Sequence, residues 1–203
     1  LQYKVLLFDF DGTIANSADV VLQSLAALIN KYNYPNVTPK QLKHKQAKSI
    51  FEKIRMLLFM AKIKKEFKAL YGRHSREIPL FEGMADALSA IAEKDYSIAI
   101  LSSNDPGNIR SCLDAHHISI NADIIPSSGL FGKHKTIRAY LSEKGYRPEE
   151  ALYIGDEIRD IVACNKTGVD IVFVRWGADS DEHIGSYKVH CEVSAPAQLV
   201  NLL

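Results

Sequence analysis

The sequence predicts an α/β protein: an open parallel sheet covered by helices on both faces, with a small all-helical unit inserted after the first strand. Two observations predict it. Short apolar runs alternate with helical patterns over most of the chain, and that rhythm builds a parallel sheet. Between residues 15 and 78 the runs stop, and apolar residues recur only at helical spacings. Composition agrees with a folded chain. At 203 residues it holds one or two domains, and 47% hydrophobic with 24% charged residues excludes a disordered or low-complexity protein.

Taken in order, Val5-Leu6-Leu7-Phe8 is a continuous apolar run, the mark of a strand buried on both faces. Two helical patterns follow. One sets Val21, Leu22, Leu25, Ala26, Leu28 and Ile29 on a stripe; the other runs from Ser49 to Leu70 through Ile50, Phe51, Ile54, Leu57, Leu58, Ala61 and Phe67. Tyr34-Pro35-Asn36 and Thr38-Pro39 punctuate the gap, with Thr38 suited to an N-cap and Pro39 to the first helical position. Further strands are expected at Ile98–Leu101, Ile124-Ile125, Leu152–Ile154 and Ile171–Val174. Helices are expected over Gly83–Glu93, Asn108–Ala115, Lys135–Lys144 and Ile158–Lys166, the last stopped by Gly168. The domains so drawn are a core of residues 1–14 with 79–203 and a helical unit of 15–78, hinged near Ile14-Ala15 and Ile78-Pro79.

The net charge of +1 hides an asymmetry. From Lys31 to Arg76 thirteen Lys and Arg face only Glu52 and Glu66, a local +11 against −10 elsewhere. These lysines scatter around amphipathic helices without regular aromatics between them, so a solvated helix face is expected rather than a nucleic-acid surface. Some of Lys43, Lys45, Lys48, Arg55, Arg73 and Arg76 are candidates for steering an anionic substrate. Charge breaks every long apolar stretch, so no bilayer span is expected. The start of the chain lacks the uncharged core of a signal peptide. Cys112, Cys164 and Cys191 form no CxxC pair and read as buried thiols in a reducing compartment, so a cytoplasmic protein is expected. His116 and His117 lack metal spacing and read as surface residues, and Trp176 reads as packing under a loop. Nothing here fixes an oligomeric state.

Parallel sheets bind ligands at the carboxyl ends of their strands. After the first strand comes Asp9-Phe10-Asp11-Gly12-Thr13; after the second, Ser102-Ser103-Asn104-Asp105; after the fourth, Gly155-Asp156-Glu157-Ile158-Arg159-Asp160. Gly132-Lys133-His134-Lys135 precedes a helix in the third crossover. A turn at Gly12 is expected to aim Asp9 and Asp11 at one point. Carboxylates so close repel, and a hard divalent cation such as Mg²⁺ relieves the repulsion.

These motifs resemble those of the haloacid dehalogenase-like hydrolases, on their phosphatase branch, similar to phosphoglycolate phosphatases. The resemblance implies a Rossmann-like core with a small helical cap, and Mg²⁺-dependent hydrolysis of a small phosphorylated metabolite, phosphoglycolate or a sugar phosphate. It implies Asp9 as nucleophile forming an aspartyl-phosphate and Asp11 as general acid and base. It implies Mg²⁺ held by Asp9, the Asp11 backbone carbonyl and Asp156, with Asp160 orienting metal-bound water. Ser102, the Ser103 amide and Lys133 would hold phosphate, with Ser103 and Lys135 as competing choices to Ser102 and Lys133. Gly12 and Asn104 support the two loops, and Thr13 is expected to bond Asp11. Asp11 argues against dehalogenation and phosphonate hydrolysis. A phosphomutase and a non-catalytic phosphoryl-binding protein are the alternatives.

Overall fold

The computed structural model describes residues 3–33, 50–127, 129–179 and 187–203. Its strands are β1 (Val5–Phe8), β2 (Ser97–Ser102), β3 (Ala122–Pro126), β4 (Ala151–Gly155), β5 (Asp170–Val174) and β6 (Cys191–Val193). They form one all-parallel sheet in the order β3-β2-β1-β4-β5-β6. The chain works outward from β1 to β3, then returns to the other flank of β1 to lay down β4, β5 and β6. The order therefore reverses beside β1, which opens a crevice between β1 and β4 at the carboxyl edge.

The described helices are α1 (Ala18–Lys31), α2 (Ile50–Arg73), α3 (Met84–Ala92), α4 (Pro106–Ala115), α5 (Gly129–Lys144), α6 (Ile158–Thr167) and α7 (Pro196–Leu202). Successive residues of each strand point to opposite faces, and both faces are covered. Leu6, Phe8, Ile98, Ile100, Leu152, Ile154 and Val172 meet Met84, Leu88 and Ile91 of α3, Ile109 and Cys112 of α4 and Leu199 of α7. Val5, Leu7, Ala99, Leu101, Tyr153, Ile171 and Phe173 meet Ile137 and Leu141 of α5 and Ile161 and Cys164 of α6. This double burial is why the strands read as unbroken apolar runs. Each fully buried side chain of this size stabilises the fold by about 1.5–3 kcal/mol.

Between β1 and α3, helices α1 and α2 pack on each other around a core of their own. Leu25, Leu28 and Ile29 meet Phe59 and Ile63, and Tyr32 stands edge-on to Phe59. The two connections to the sheet lie side by side. Ala15 bridges Leu80 in antiparallel fashion, the Asn16 amide donates to the Pro79 carbonyl (2.8 Å), and the Phe81 amide donates to the Ile14 carbonyl (3.3 Å). The expected cap at Thr38-Pro39, and Lys43, Lys45 and Lys48, fall outside the described residues, as does the Arg55 side chain. Arg73 and Arg76 are exposed.

Several elements differ from expectation. Strand β3 extends beyond Ile124-Ile125 because Ala122 and Pro126 pair with Ile98 and Ser102; an edge strand tolerates the proline. Helix α4 starts at Pro106, since the Asp105 side chain caps it by accepting the Gly107 amide (2.9 Å). Helix α5 starts at Gly129, so Lys133 lies within a helix and not before one; a glycine such as Gly132 weakens a helix without barring it. Strand β6 and helix α7 had no expectation, for three residues with only Val193 buried carry no periodicity. His116 is half-buried, its Nε2 2.7 Å from the Ile78 carbonyl, which corrects the reading of it as a surface residue. Cys112 and Cys164 are buried free thiols. No described helix is long and apolar enough to cross a membrane.

Glu150 ties the start of β1 to the turn before β4. Its carboxylate meets Lys4 Nζ at 2.8 Å, the Arg147 amide at 2.9 Å and Arg147 Nη2 at 3.3 Å. The Lys4 hydrogen bond first, then those from the Arg147 backbone and side chain, draw its pKa down to about 2. A depressed carboxyl stabilises the folded state above its unfolded value and loses that contribution as pH falls through the folded one. Thermal melts should therefore show the wild type losing stability relative to Glu150→Gln between about pH 4.5 and pH 2, with the gap constant above that window.

Candidate active site

The end of β1 builds the site. The Asp9 amide still pairs with the Ile154 carbonyl of β4 (2.9 Å), after which the chain coils on itself. The Thr13, Ile14 and Ala15 amides all donate to the Phe10 carbonyl, and the Gly12 amide donates to the Ala15 carbonyl. Gly12 sits at φ +86°, in the left-handed region where side chains are strained. A Cβ there would lie 2.2 Å from Asp156 Oδ2. This tight turn separates the two carboxylates, turning Asp9 toward the α5–α6 face and Asp11 toward α2.

Asp9, Asp156 and Asp160 converge. One carboxylate oxygen from each lies within 4.8 Å of the other two, and all three residues are buried. Asp9 is fixed at both oxygens: Oδ1 accepts the Phe10 amide at 2.8 Å and Oδ2 meets Lys133 Nζ at 3.0 Å. Lys133, from α5, also pairs with Asp160. Asp156 accepts the Thr13 hydroxyl at 2.8 Å and the Ala178 amide at 2.7 Å. The expected bond from Thr13 to Asp11 is thus corrected: the turn at Gly12 swings Thr13 toward Asp156. Asp160 completes a capping box at the start of α6 with the Glu157 amide.

The electrostatics of the group follow from its charge and burial. Three carboxylates share a buried crevice with one lysine among the described residues. Burial, then the Asp9 charge, raises the Asp156 carboxyl well above the usual range. Burial also raises Asp160, and the nearby Asp9 adds to the rise while Lys133 opposes it. Burial pulls the Lys133 ammonium down, but Asp9 and Asp160 more than offset it, carrying it up to about 12. Lys133 therefore stays charged, and the group keeps an excess of negative charge. Buried charge left unpaired costs several kcal/mol per ion. A divalent cation removes that excess, and an all-oxygen donor set suits a hard one. The residues present fit such a cation, and Asp9, Asp156 and Asp160 are the carboxylates that would hold it or its waters.

The Asp11 carboxylate is not part of this group. Its Oδ1 accepts the Tyr71 hydroxyl at 2.6 Å and its Oδ2 accepts Nδ2 of the Asn104 side chain at 3.2 Å. Burial raises its pKa against these hydrogen bonds, and the Asp9 charge adds to the rise. The β2 loop lies alongside. Ser102 is buried, and its Oγ accepts the Asn104 amide at 3.0 Å, while its O–H remains a donor. Ser103 is exposed. Lys133 is buried and Lys135 exposed, so Lys133 is the one that reaches the acidic group.

Two contributors escaped sequence reasoning. Tyr71 lies one residue beyond the apolar pattern that runs from Ser49 to Leu70, on a helix that continues to Arg73. The loop after β5 supplies Ala178, and a Cβ on its Gly177 would lie 2.1 Å from the Asp156 Cβ, so this close approach needs glycine. Trp176 packs near Phe81 and donates through Nε1 to the Thr13 carbonyl (3.0 Å). The glycine after Trp176, following an apolar run at the reactive edge, was the available signal.

Known proteins match nearly the whole chain in sequence and in fold. Residues 6–174 match the family model described as haloacid dehalogenase-like hydrolase. The phosphoglycolate phosphatase of Synechococcus elongatus is 25% identical over 179 residues, spanning 86% of this chain and 84% of that protein. Pyrophosphatase PpaX of Anoxybacillus flavithermus is 22% identical over 213 residues, spanning 100% of this chain and 98% of that one. Among solved structures, a haloacid dehalogenase-like family protein from Streptococcus pneumoniae superposes with a TM-score of 0.80 at 18% identity, covering 99% of this chain and 98% of its own. With most of the parallel sheet and the motifs at its carboxyl edge inside the matched residues, the chain belongs to the haloacid dehalogenase-like hydrolases, and within them it is similar to phosphatases.

Proposed function

We propose that the protein is an Mg²⁺-dependent phosphatase that hydrolyses a small phosphorylated metabolite through an aspartyl-phosphate on Asp9. The convergence of Asp9, Asp156, Asp160 and Lys133 at the crevice between β1 and β4 carries this reading. Asp9 attacks phosphorus, forming an O–P bond as the bond to the leaving oxygen breaks. Asp11, buried and raised in pKa, gives its proton to that oxygen. Asp11 then takes a proton from water as the water attacks phosphorus, releasing inorganic phosphate and freeing Asp9. Ser102, the Ser103 amide and Lys133 hold the phosphoryl oxygens where negative charge develops. Asp9, Asp156 and the Asp11 carbonyl would hold Mg²⁺, with Asp160 orienting its water. When bound, the ion neutralises charge between the Asp9 carboxylate and the phosphoryl group.

Residues 15–78 serve in this reading as a cap over the crevice. Their separate core and paired connections support it. The relatives named for phosphoglycolate and for pyrophosphate point to a small, strongly anionic substrate. Phosphoglycolate, sugar phosphates and pyrophosphate are the compounds to compare first.

Phosphate release from p-nitrophenyl phosphate should require Mg²⁺, stop with EDTA, return on adding Mg²⁺ and vanish in Asp9→Asn. Retention of metal-dependent release by Asp9→Asn would remove Asp9 as nucleophile. Gly12→Ala should fold yet lose about a hundred-fold in kcat, since its Cβ would displace the Asp156 carboxylate, and displacement of about 1 Å has that effect. Circular dichroism alongside steady-state kinetics checks both halves of that expectation.

A further inference from the structure

One feature of the site has no part in the chemistry above: the hydroxyl of Tyr71. Tyr71 belongs to the last turns of α2, yet its ring is 1% exposed and is built into the core of the sheet domain together with Phe10, Ile14 and Ile109. The ring also leans on Phe67 of its own helix. Its Oη donates to Asp11 Oδ1 at 2.6 Å, a short hydrogen bond to a carboxyl group.

A second chain of contacts reaches the same carboxylate from α4. Asn108 uses both of its amide hydrogens, one to the Lys68 carbonyl of α2 (3.3 Å) and one to Asn104 Oδ1 (3.2 Å). Asn104 donates in turn to Asp11 Oδ2 at 3.2 Å. The two helices meet at Gly72, where a Cβ would lie 2.6 Å from Asn108 Oδ1. Absence of a side chain lets α2 settle onto α4. The seat of α2 thus sets one donor on each oxygen of Asp11, Tyr71 directly and Asn104 through Asn108.

We infer that Tyr71 is a positioning residue for Asp11: its hydroxyl holds the carboxyl group in the orientation that protonates the leaving oxygen, so acid catalysis depends on the seat of α2 against α4. The inference rests on the proposed phosphatase reaction. A carboxyl group free to rotate about its side-chain torsions presents its proton to the leaving oxygen only part of the time. The donors Tyr71 and Asn104, set by α2, join the Ser17 side chain in restricting that freedom, and a general acid contributes about 10²–10⁴-fold only when so placed.

The test compares two esters that differ in their need for a proton. p-Nitrophenyl phosphate leaves as a stabilised phenolate and gains little from an acid; phenyl phosphate gains much more. Tyr71→Phe keeps the ring and removes the bond. It should lower kcat/KM for phenyl phosphate by about ten-fold or more while changing that for p-nitrophenyl phosphate much less. Gly72→Ala, which pushes Asn108 aside, should shift the same ratio in the same direction and carries the test if Tyr71→Phe does not fold. An equal fall on both esters, or no fall on either, in the folded variants would overturn the positioning role. The underlying reaction fails separately: wild type would then hydrolyse neither ester, or Asp9→Asn would hydrolyse both.

Discussion

The structure turns on three carboxylates forced into one buried crevice with, among the described residues, a single ammonium. Asp9 comes from one stretch of chain, Asp156 and Asp160 from another far along the sequence, and each would be better solvated apart. Their meeting is imposed by the sheet. Hydrogen bonding of β1 to β4 sets Asp9 beside Asp156, and the capping box at α6 sets Asp160. The apolar layers on both faces hold that register against the repulsion. Stability of the core and readiness of the site for a cation are therefore opposite sides of one balance.

Much of this was legible in the sequence because the fold buries its strands twice over. A strand covered on both faces must be apolar at every position, so Val5–Phe8 and Ile171–Val174 stood out without any knowledge of pairing. The acids that follow such runs lie at the reactive edge by topology alone, which is why Asp9, Asp11, Asp156 and Asp160 were visible. Lys133 was visible too, although the helix carrying it begins at Gly129, well before the Lys135 that periodicity indicated.

What the sequence did not disclose depends on tertiary approach. Thr13 bonds Asp156 and not Asp11 because of one left-handed residue at Gly12, and no spacing rule encodes the direction of that turn. Tyr71 is an ordinary member of an amphipathic stretch until α2 is laid against the sheet domain. Asp105 has the composition of a site residue and serves instead as a helix cap. Backbone donors such as the Ala178 amide leave no trace in residue identity at all.

The loop after β5 has a bearing on how the protein comes into being. Trp176 reaches back across the sequence to the Thr13 carbonyl, and Ala178 to Asp156. The first turn and the last core strand are thus tied together only when nearly all of the sheet has assembled. Such far-flung closures form late and slow the search for the native state. During synthesis the early segments emerge with their acids still separate and solvated. A chain that stops before this loop lacks the Trp176 and Ala178 hydrogen bonds, and with them two of the ties that hold the first turn and Asp156 in place.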